Sequence, residues 1–218
     1  MNETIPQEKM IEVIQDFNEL YYRARPSTWD NTTYLGRKLF KTPTDLWIMQ
    51  ELIYKTRPDL LIETGSYKGG SALYYAHVMD NIQHGMIATI DLHAIHDYVD
   101  HPRINYLVGD SADPDMINVL KLIIEKHNCK NIMVILDSDH SYEHVSQELE
   151  LYHSLVSDSQ YLIVEDTNVT LDIDESIGGS ARKAMDEFLL LHPEFESDRS
   201  CEKFLLTFNP CGYLKKIK

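Results

Sequence analysis

The chain has 218 residues, 43% apolar and 25% charged, a composition typical of one globular domain. With 20 Lys and Arg against 35 Asp and Glu, its formal net charge at pH 7 is −15. A surface this acidic repels phosphate backbones and anionic lipid, which argues against nucleic-acid and membrane-surface binding. It is compatible with a metal ion or a cationic ligand.

Apolar runs and cysteines limit the class of protein further. No run reaches the ~18 apolar residues of a membrane span, and the first residues lack the regions of a signal peptide. We therefore expect a soluble, cytoplasmic protein. The cysteines, Cys129, Cys201 and Cys211, are odd in number and include no CxxC pair, so we expect neither a disulfide framework nor structural zinc.

The first quarter of the chain is predicted to be mainly helical. Apolar residues over 3–25 recur at helical spacing, which predicts a helix with one face directed inward. Pro26 ends this helix, because proline disfavours helix at the preceding residue. A polar, aperiodic stretch over 27–41 precedes a second predicted helix over 44–56.

We divide the chain into a helical extension or lid at 1–57 and a main region at 58–218, within a single structural domain. Trp29, Asn31 and Tyr34 lie on a segment long enough to cover a binding site as a lid or acceptor wall. The alternative, that this segment only covers the helical layer, fits the sequence equally well. The amphipathic first helix suits a homo-oligomer as well as a monomer.

From residue 58 onward, short apolar runs alternate with segments of helical periodicity. Continuous apolar runs of this length are typical of parallel strands that are buried on both faces. The predicted strands are 60–62, 86–90, 104–108, 132–136 and 161–164. The predicted helices are about 70–81, 113–128, 142–156 and 178–191.

The end of the chain departs from this alternation. Two strand-like runs, 196–208 and 212–217, follow one another without a helix and predict an antiparallel pair, whose Pro210 suits the sheet edge. The predicted fold is therefore α/β: a Rossmann-like, doubly wound, mostly parallel seven-stranded sheet with a C-terminal antiparallel pair and an N-terminal helical extension.

Ligands of open parallel sheets bind at the carboxyl ends of the strands. The first predicted strand runs into ETGSYKGGS, Glu63 to Ser71, whose glycines at 65, 69 and 70 lack the GxGxxG spacing of dinucleotide sites. The Glu63 carboxylate suits an ammonium group better than a diphosphate. A glycine-rich turn of this kind also occurs in α/β proteins that bind nothing there.

The next two strand ends offer weaker signals. Asp91 follows the second strand and is a candidate acceptor for ribose hydroxyls. Asp110 and Ser111 follow the third and could line an adenine edge. Aspartate also caps helices and turns, so neither position is decisive alone.

Acidic residues converge after the fourth and fifth strands. Asp137, Asp139 and His140 follow one strand, and Glu165 and Asp166 follow the other. Their mutual repulsion favours a compensating cation, and oxygen ligands suit Mg²⁺. The alternative is that these loops are solvated acidic surface.

A second metal chemistry is compatible with the same segment. His140 and His144, four residues apart, could join Asp137 or Asp139 in the two-histidine, one-carboxylate site of iron oxygenases. The surrounding carboxylates favour the harder ion.

Together these segments resemble class I S-adenosylmethionine-dependent methyltransferases. ETGSYKGGS resembles the first motif of metal-dependent catechol-type O-methyltransferases. The whole chain is most similar to the cephalosporin hydroxylase family, which includes rhamnosyl O-methyltransferases. The matching segments are TWDNTTYLG (28–36), PTDLWIMQELI (43–53), PDLLIETGSYKGGSALYYA (58–76), LDSDHSYEHV (136–145), YLIVEDTNV (161–169) and EKFLLTFNPCGYLKK (202–216).

The resemblance implies S-adenosylmethionine and Mg²⁺ as cofactors. Its implied cofactor-binding residues are Glu63, Gly65, Tyr67 and Ser71 for the methionine end, Asp91 for the ribose, and Asp110 and Ser111 for the adenine. It implies metal ligands Glu165 and Asp166, with Asp137 favoured by the catechol-type spacing and Asp139 by that of the hydroxylase family. His140 stands where the catechol-type enzymes have a catalytic lysine, which leaves the base open.

The sequence therefore predicts a Mg²⁺-dependent O-methyltransferase acting on a hydroxyl of a small molecule, a sugar or a natural-product scaffold. In this reaction the protein positions the reactants, the metal activates the acceptor oxygen, and His140 is the candidate that could take its proton. Two alternatives stay open: an oxidoreductase or hydroxylase with a non-heme metal at the same acidic site, and a non-catalytic ligand-binding relative.

Overall fold

The computed structural model describes residues 6–94, 97–169 and 180–218, and these form the α/β architecture predicted from the sequence. The α-helices in these ranges are Gln7–Arg23 (α1), Pro43–Thr56 (α2), Gly70–Ile82 (α3), Pro114–His127 (α4), Tyr142–Tyr152 (α5) and Ser180–Leu191 (α6). The strands are Thr33–Tyr34 (β1), Arg37–Lys38 (β2), Leu60–Thr64 (β3), Met86–Asp91 (β4), Ile104–Val108 (β5), Ile132–Leu136 (β6), Tyr161–Val164 (β7), Phe195–Ser197 (β8) and Tyr213–Lys216 (β9).

Seven of these strands form one sheet in the order β5-β4-β3-β6-β7-β9-β8. Strands β3 to β7 are parallel, and β9 is antiparallel to both β7 and β8. The doubly wound sheet and its closing antiparallel pair are thus confirmed. The strand order changes direction between β3 and β6, which makes their carboxyl ends the switch point where ligands of such folds bind.

The C-terminal prediction needs a correction in detail. The run predicted over 196–208 forms a strand only at Phe195–Ser197, followed by a short 3₁₀ helix at Arg199–Glu202. Pro210 lies in the loop before β9, and β9 is an interior strand, so the edge placement suggested for the proline is wrong. In a loop, the missing proline N–H removes no hydrogen bond from the sheet.

The N-terminal segment also differs from the prediction. Helix α1 has no buried residue, and its apolar side chains Phe17 and Leu20 are 49% and 64% exposed. The predicted inward face is present at the end of the helix, where the Tyr21 and Tyr22 rings lie 6.1 and 5.9 Å from the Phe208 ring. Periodicity reveals an apolar face but not what covers it. The stretch predicted as aperiodic contains the hairpin β1–β2. Among the described residues, no helix is long and apolar enough to cross a bilayer.

Two apolar layers cover the central sheet. Consecutive residues of one strand point to opposite layers. Ile62 packs with the layer of α4, α5 and α6, and Leu61 packs with the layer of α2 and α3. Both residues are fully buried. This two-sided burial explains why β3, β6 and β7 read as uninterrupted apolar runs.

The register of the parallel strands aligns their carboxyl ends. Leu136 of β6 is level with Val164 of β7, so Asp137 and Glu165, the next residues in each chain segment, emerge side by side. The Glu165 N–H donates to the Leu136 carbonyl oxygen at 3.0 Å, which extends the strand pairing to the carboxyl ends of β6 and β7. The acidic residues therefore converge because of strand pairing.

Candidate functional site

A cavity of 440 Å³ opens at the carboxyl ends of β3, β4 and β6. Its walls come from the turns that follow these strands and from the segment that precedes α2. Gly65, Tyr67, Ser71 and Asp91 line one side, and Asp137, Asp139, His140 and Asp166 line the other. The structure thus brings most of the predicted site residues to one cavity.

A buried lysine lies among the acidic residues. The Lys41 Nζ is 2.6 Å from Asp137 Oδ2 and 2.6 Å from Glu165 Oε1. Burial alone would lower the pKa of Lys41, but the charges of Asp137 and Glu165 outweigh it and raise that pKa well above its ordinary value. The two ion pairs therefore favour the ammonium form of Lys41.

Three side chains at the strand ends form a cluster whose spacing is compatible with a metal ion. Potential ligand atoms of Asp137, His140 and Asp166 all lie within 4.8 Å of one another. The His140 Nε2 is 3.0 Å from Asp166 Oδ2 and 4.0 Å from Asp137 Oδ1. This group combines two carboxylates with one imidazole at the mouth of two adjacent strands.

The carboxyl groups after β7 are held against unfavourable burial. Desolvation, followed by the charge of Asp137, raises the pKa of Glu165 well above its ordinary value, although Lys41 opposes this shift. Desolvation also raises the pKa of Asp166, and the nearby His140 opposes it. A cation in the cluster would stabilise both ionised forms.

Asp139 and His144 have other partners. The Asp139 Oδ1 accepts the Ser141 N–H at 2.7 Å, and this hydrogen bond lowers the pKa of Asp139. The His144 Nε2 lies 3.2 Å from Ser111 Oγ and 3.5 Å from Glu148 Oε1. The cluster at the strand ends therefore has one histidine among the described residues, which disfavours the iron-oxygenase alternative.

Glu63 is fully buried and is not among the residues that line the cavity, although Gly65 and Ser66 of the same turn are. Its Oε2 accepts the Thr89 hydroxyl at 2.7 Å, whereas its Oε1 has no hydrogen-bond partner among the described residues. Burial raises the pKa of Glu63 to about 7, against the opposing charge of Lys41. A buried carboxylate oxygen without a partner can accept a hydrogen bond from a cationic ligand group.

The turn after β3 is tied to the end of β4. The Tyr67 N–H donates to Asp91 Oδ2 at 2.9 Å, and the His93 N–H donates to the other oxygen, Oδ1, at 3.1 Å. The Tyr67 ring stacks on Phe40 with centroids 4.5 Å apart. Asp91 therefore borders the cavity with its orientation already set by two backbone groups.

The remaining predicted residues are less uniform. Ser111 is buried and lines the cavity, whereas Asp110 is not among the lining residues and accepts the Ala112 N–H at 2.9 Å. Trp29 lines the cavity, but the Tyr34 hydroxyl bonds to His77 Nδ1 at 3.0 Å. Part of the predicted lid thus covers α3 and part borders the cavity.

Sequence reasoning missed Lys41. It ends a polar stretch without periodicity, 96 residues before Asp137, and no local motif indicates that its side chain reaches the strand ends. Its position just before Thr42, the N-cap of α2, is the only local signal.

Comparisons with known proteins identify the family of this chain. The sequence model of the family described as Rhamnosyl O-methyltransferase/CmcI matches residues 26–217. A rhamnosyl O-methyltransferase of Mycobacterium bovis (strain BCG / Pasteur 1173P2) is 34% identical over 163 residues, which cover 72% of this chain and 64% of that protein. The chain thus matches just under two thirds of that relative's length. The rhamnosyl O-methyltransferase of Mycobacterium leprae (strain TN) is 31% identical over 210 residues, covering 93% of this chain and 90% of that protein.

A solved structure shares the fold. The structure described as "cmcI-D160 Mg-SAM" aligns with a TM-score of 0.60 at 16% sequence identity, covering 85% of this chain and 75% of that chain. At this identity the alignment supports the fold alone. The family match extends over most of the chain, from the segment before α2 to β9, and the chain therefore belongs to the rhamnosyl O-methyltransferase/CmcI family.

Proposed function

We propose that this protein is an S-adenosylmethionine- and Mg²⁺-dependent O-methyltransferase that acts on a hydroxyl group of a small molecule, a sugar or a natural-product scaffold. The observation that carries the proposal is the cluster of Asp137, His140 and Asp166 beside a cavity bordered by Asp91 and the turn after β3. Family membership and the rhamnosyl O-methyltransferase relatives support the same activity.

The donor set fits a hard divalent ion. Asp137 and Asp166 contribute carboxylate oxygens to the cluster, and Glu165 emerges beside Asp137 in the adjacent strand. We propose Asp137, Glu165 and Asp166 as the metal-binding residues, since Asp137 and Asp166 belong to the cluster, Glu165 lies beside Asp137, and Asp139 is outside the cluster. Oxygen ligands of this kind suit Mg²⁺.

The opposite side of the cavity fits a sulfonium nucleoside. The free oxygen of Glu63 suits an ammonium group at the methionine end, near Gly65, Tyr67 and Ser71. Asp91 suits the ribose hydroxyls and Ser111 the adenine end, whereas Asp110, predicted for the same end, does not line the cavity.

In this proposal the residues of the chain perform three tasks. Glu63 would hold the methionine end of the donor and Asp91 its ribose. His140 would accept the proton of the acceptor hydroxyl at Nδ1, the ring nitrogen that is not paired with Asp166, and Asp166, 3.0 Å from Nε2, would stabilise the imidazolium that results. When bound, S-adenosylmethionine supplies the methyl group and Mg²⁺ lowers the pKa of the acceptor hydroxyl.

The segment before α2 forms part of the acceptor wall in this proposal. Trp29 and Phe40 line the cavity, with ring centroids 5.5 Å apart at an angle of 88°.

We also propose that the chain consists of an N-terminal extension, 1–57, and a methyltransferase region, 58–218, and that the protein is cytoplasmic. The exposed apolar face of α1 is compatible with a homo-oligomer.

Calorimetric titration with S-adenosylmethionine, with and without Mg²⁺, tests the cofactor part of this proposal. Transfer of labelled methyl groups to a panel of rhamnosides and other hydroxylated natural products then tests the activity. We expect saturable cofactor binding and Mg²⁺-dependent, chelator-sensitive transfer. Absence of cofactor binding in both conditions would contradict the proposal and favour the non-catalytic alternative.

A further inference from the structure

Lys41 is a deeply buried basic residue beside the acidic cluster, and no sequence motif points to it. Its side chain is 3% exposed, and its Nζ contacts Asp137 Oδ2 and Glu165 Oε1 at 2.6 Å each. Removing an ammonium group from water is costly unless good ion pairs compensate it. Burial of the charged Lys41 side chain therefore depends on Asp137 and Glu165 keeping these positions.

The backbone around Lys41 is anchored on both sides. Before it, the Leu39 N–H donates to the Thr32 carbonyl oxygen at 3.2 Å, and Leu39 is buried. After it, the Thr42 side chain caps α2 by accepting the Asp45 N–H at 3.1 Å. These contacts fix the backbone on both sides of Lys41, whose side chain reaches the carboxyl ends of the strands.

Asp45 ties this segment to the C-terminal part of the chain. Its Oδ1 accepts the Thr207 hydroxyl at 2.6 Å and the Tyr213 hydroxyl at 2.9 Å, and its Oδ2 accepts the Phe208 N–H at 2.9 Å. Tyr213 belongs to β9, which pairs with β7, the strand that leads to Glu165. Lys41 and Glu165 are thus held by the same rigid part of the fold.

The oxygen atoms of Asp137 are divided between two neighbours. Oδ2 faces Lys41, and Oδ1 is the oxygen that lies 4.0 Å from His140 Nε2, toward Asp166. Lys41 therefore contacts this carboxylate through the oxygen that is not directed at His140. The lysine can remain in place while Oδ1 serves the cluster.

We propose that Lys41 is a positioning residue: anchored on Glu165 Oε1, it holds Asp137 through Oδ2 so that Asp137 Oδ1 stays available to a divalent metal ion in the cluster. This inference rests on the proposed function, because it assumes that the cluster binds a metal. It differs from the opposite interpretation, in which the ammonium group occupies the metal position and competes with the ion. The two interpretations predict opposite changes when the charge is removed.

Mn²⁺ binding to the purified full chain, measured by the electron paramagnetic resonance signal of free Mn²⁺, distinguishes them. Lys41→Met removes the charge and nearly preserves side-chain length, and Lys41→Gln keeps hydrogen-bond donors without charge. Lys38→Met is the matched control, because Lys38 also lines the cavity but pairs with Asp30 at 3.3 Å. S-adenosylhomocysteine affinity and thermal unfolding of the metal-free proteins are measured in parallel.

We expect Lys41→Met to weaken Mn²⁺ binding at least tenfold, Lys41→Gln to weaken it less, and Lys38→Met to change it less than twofold. S-adenosylhomocysteine affinity should change less than threefold in all three variants. Equal or tighter Mn²⁺ binding by folded Lys41→Met overturns the inference. If Lys41→Met does not fold, the same result with Lys41→Gln overturns it.

A failure of the proposed function is recognisable separately. If the unmodified protein binds S-adenosylhomocysteine but not Mn²⁺, the metal-dependent mechanism is wrong, and the inference about Lys41 is overturned with it. If the unmodified protein binds Mn²⁺ and the variants bind it equally well, only the inference about Lys41 is wrong.

Discussion

The α-carbon of Gly65 packs directly against the backbone carbonyl of Asp137, and a β-carbon at position 65 would overlap that carbonyl oxygen. Gly65 has φ +82°, so the turn after β3 and the loop after β6 can approach each other only with glycine at this position. This contact places the proposed cofactor turn beside the proposed metal loop.

We expect Gly65→Ala to destabilise the fold and reduce cofactor binding, because strain and overlap combine. Gly36→Ala is a matched control: Gly36 has φ +81°, but a β-carbon there meets no atom within 4 Å. Urea unfolding should show a loss in free energy of unfolding at least ~2 kcal/mol larger for Gly65→Ala than for Gly36→Ala. Equal losses would show that the close approach has no energetic importance.

The choice between Asp137 and Asp139 is open to a direct experiment. Asp137 belongs to the cluster with His140 and Asp166, whereas Asp139 accepts the Ser141 N–H. We expect Asp137→Asn to weaken Mg²⁺ or Mn²⁺ binding by ~10-fold or more and Asp139→Asn by only a few-fold, measured by titration calorimetry. The reverse order would assign the ligand to Asp139.

His140 is expected to act as the general base. His140→Asn should lower kcat by about 10²-fold or more, with a smaller effect on cofactor affinity, because proton transfer and not donor binding is impaired. His93→Asn is the control, since His93 lines the same cavity outside the cluster. An unchanged kcat in His140→Asn would mean that another group or solvent accepts the proton.

Asp91 is expected to determine binding at the nucleoside end. Asp91→Asn should weaken S-adenosylhomocysteine binding about tenfold, equivalent to ~1.4 kcal/mol, because the carboxylate faces the cavity. Asp110→Asn should have a smaller effect, since Asp110 is not among the lining residues. Equilibrium fluorescence or calorimetric titration measures both, and metal affinity should stay nearly unchanged in each variant.

Glu63 should make the stability of the cofactor-free protein pH-dependent. Burial raises its pKa from 4.5 to about 7, so the folded state holds a proton that the unfolded chain releases at lower pH. Its contribution to stability is therefore lost as pH rises from about 4.5 to about 7, by an amount on the order of 3 kcal/mol.

Glu63→Gln should remove this pH dependence. Because glutamine carries no charge, its stability at this position does not change with pH. We therefore expect the urea midpoint of the variant, minus that of the unmodified protein, to be larger at pH 8 than at pH 4.5. Cofactor binding should be weakened, since the ammonium group would lose its carboxylate partner. A stability difference that does not vary with pH would contradict the assignment of a raised pKa.

The sequence alone determined the α/β fold, the bounds of strands such as 104–108 and 132–136, and the carboxylates at the strand ends. These features depend on local hydrophobic patterns, and in a parallel sheet the strand ends meet at one edge. Only the tertiary structure decided which side chains face each other across that edge. It placed Lys41 between Asp137 and Glu165, directed His144 toward Glu148, and left Phe17 and Leu20 of α1 exposed. The physical reason is that a residue's period in the sequence indicates its face of a helix or strand, whereas its partner depends on how distant segments pack.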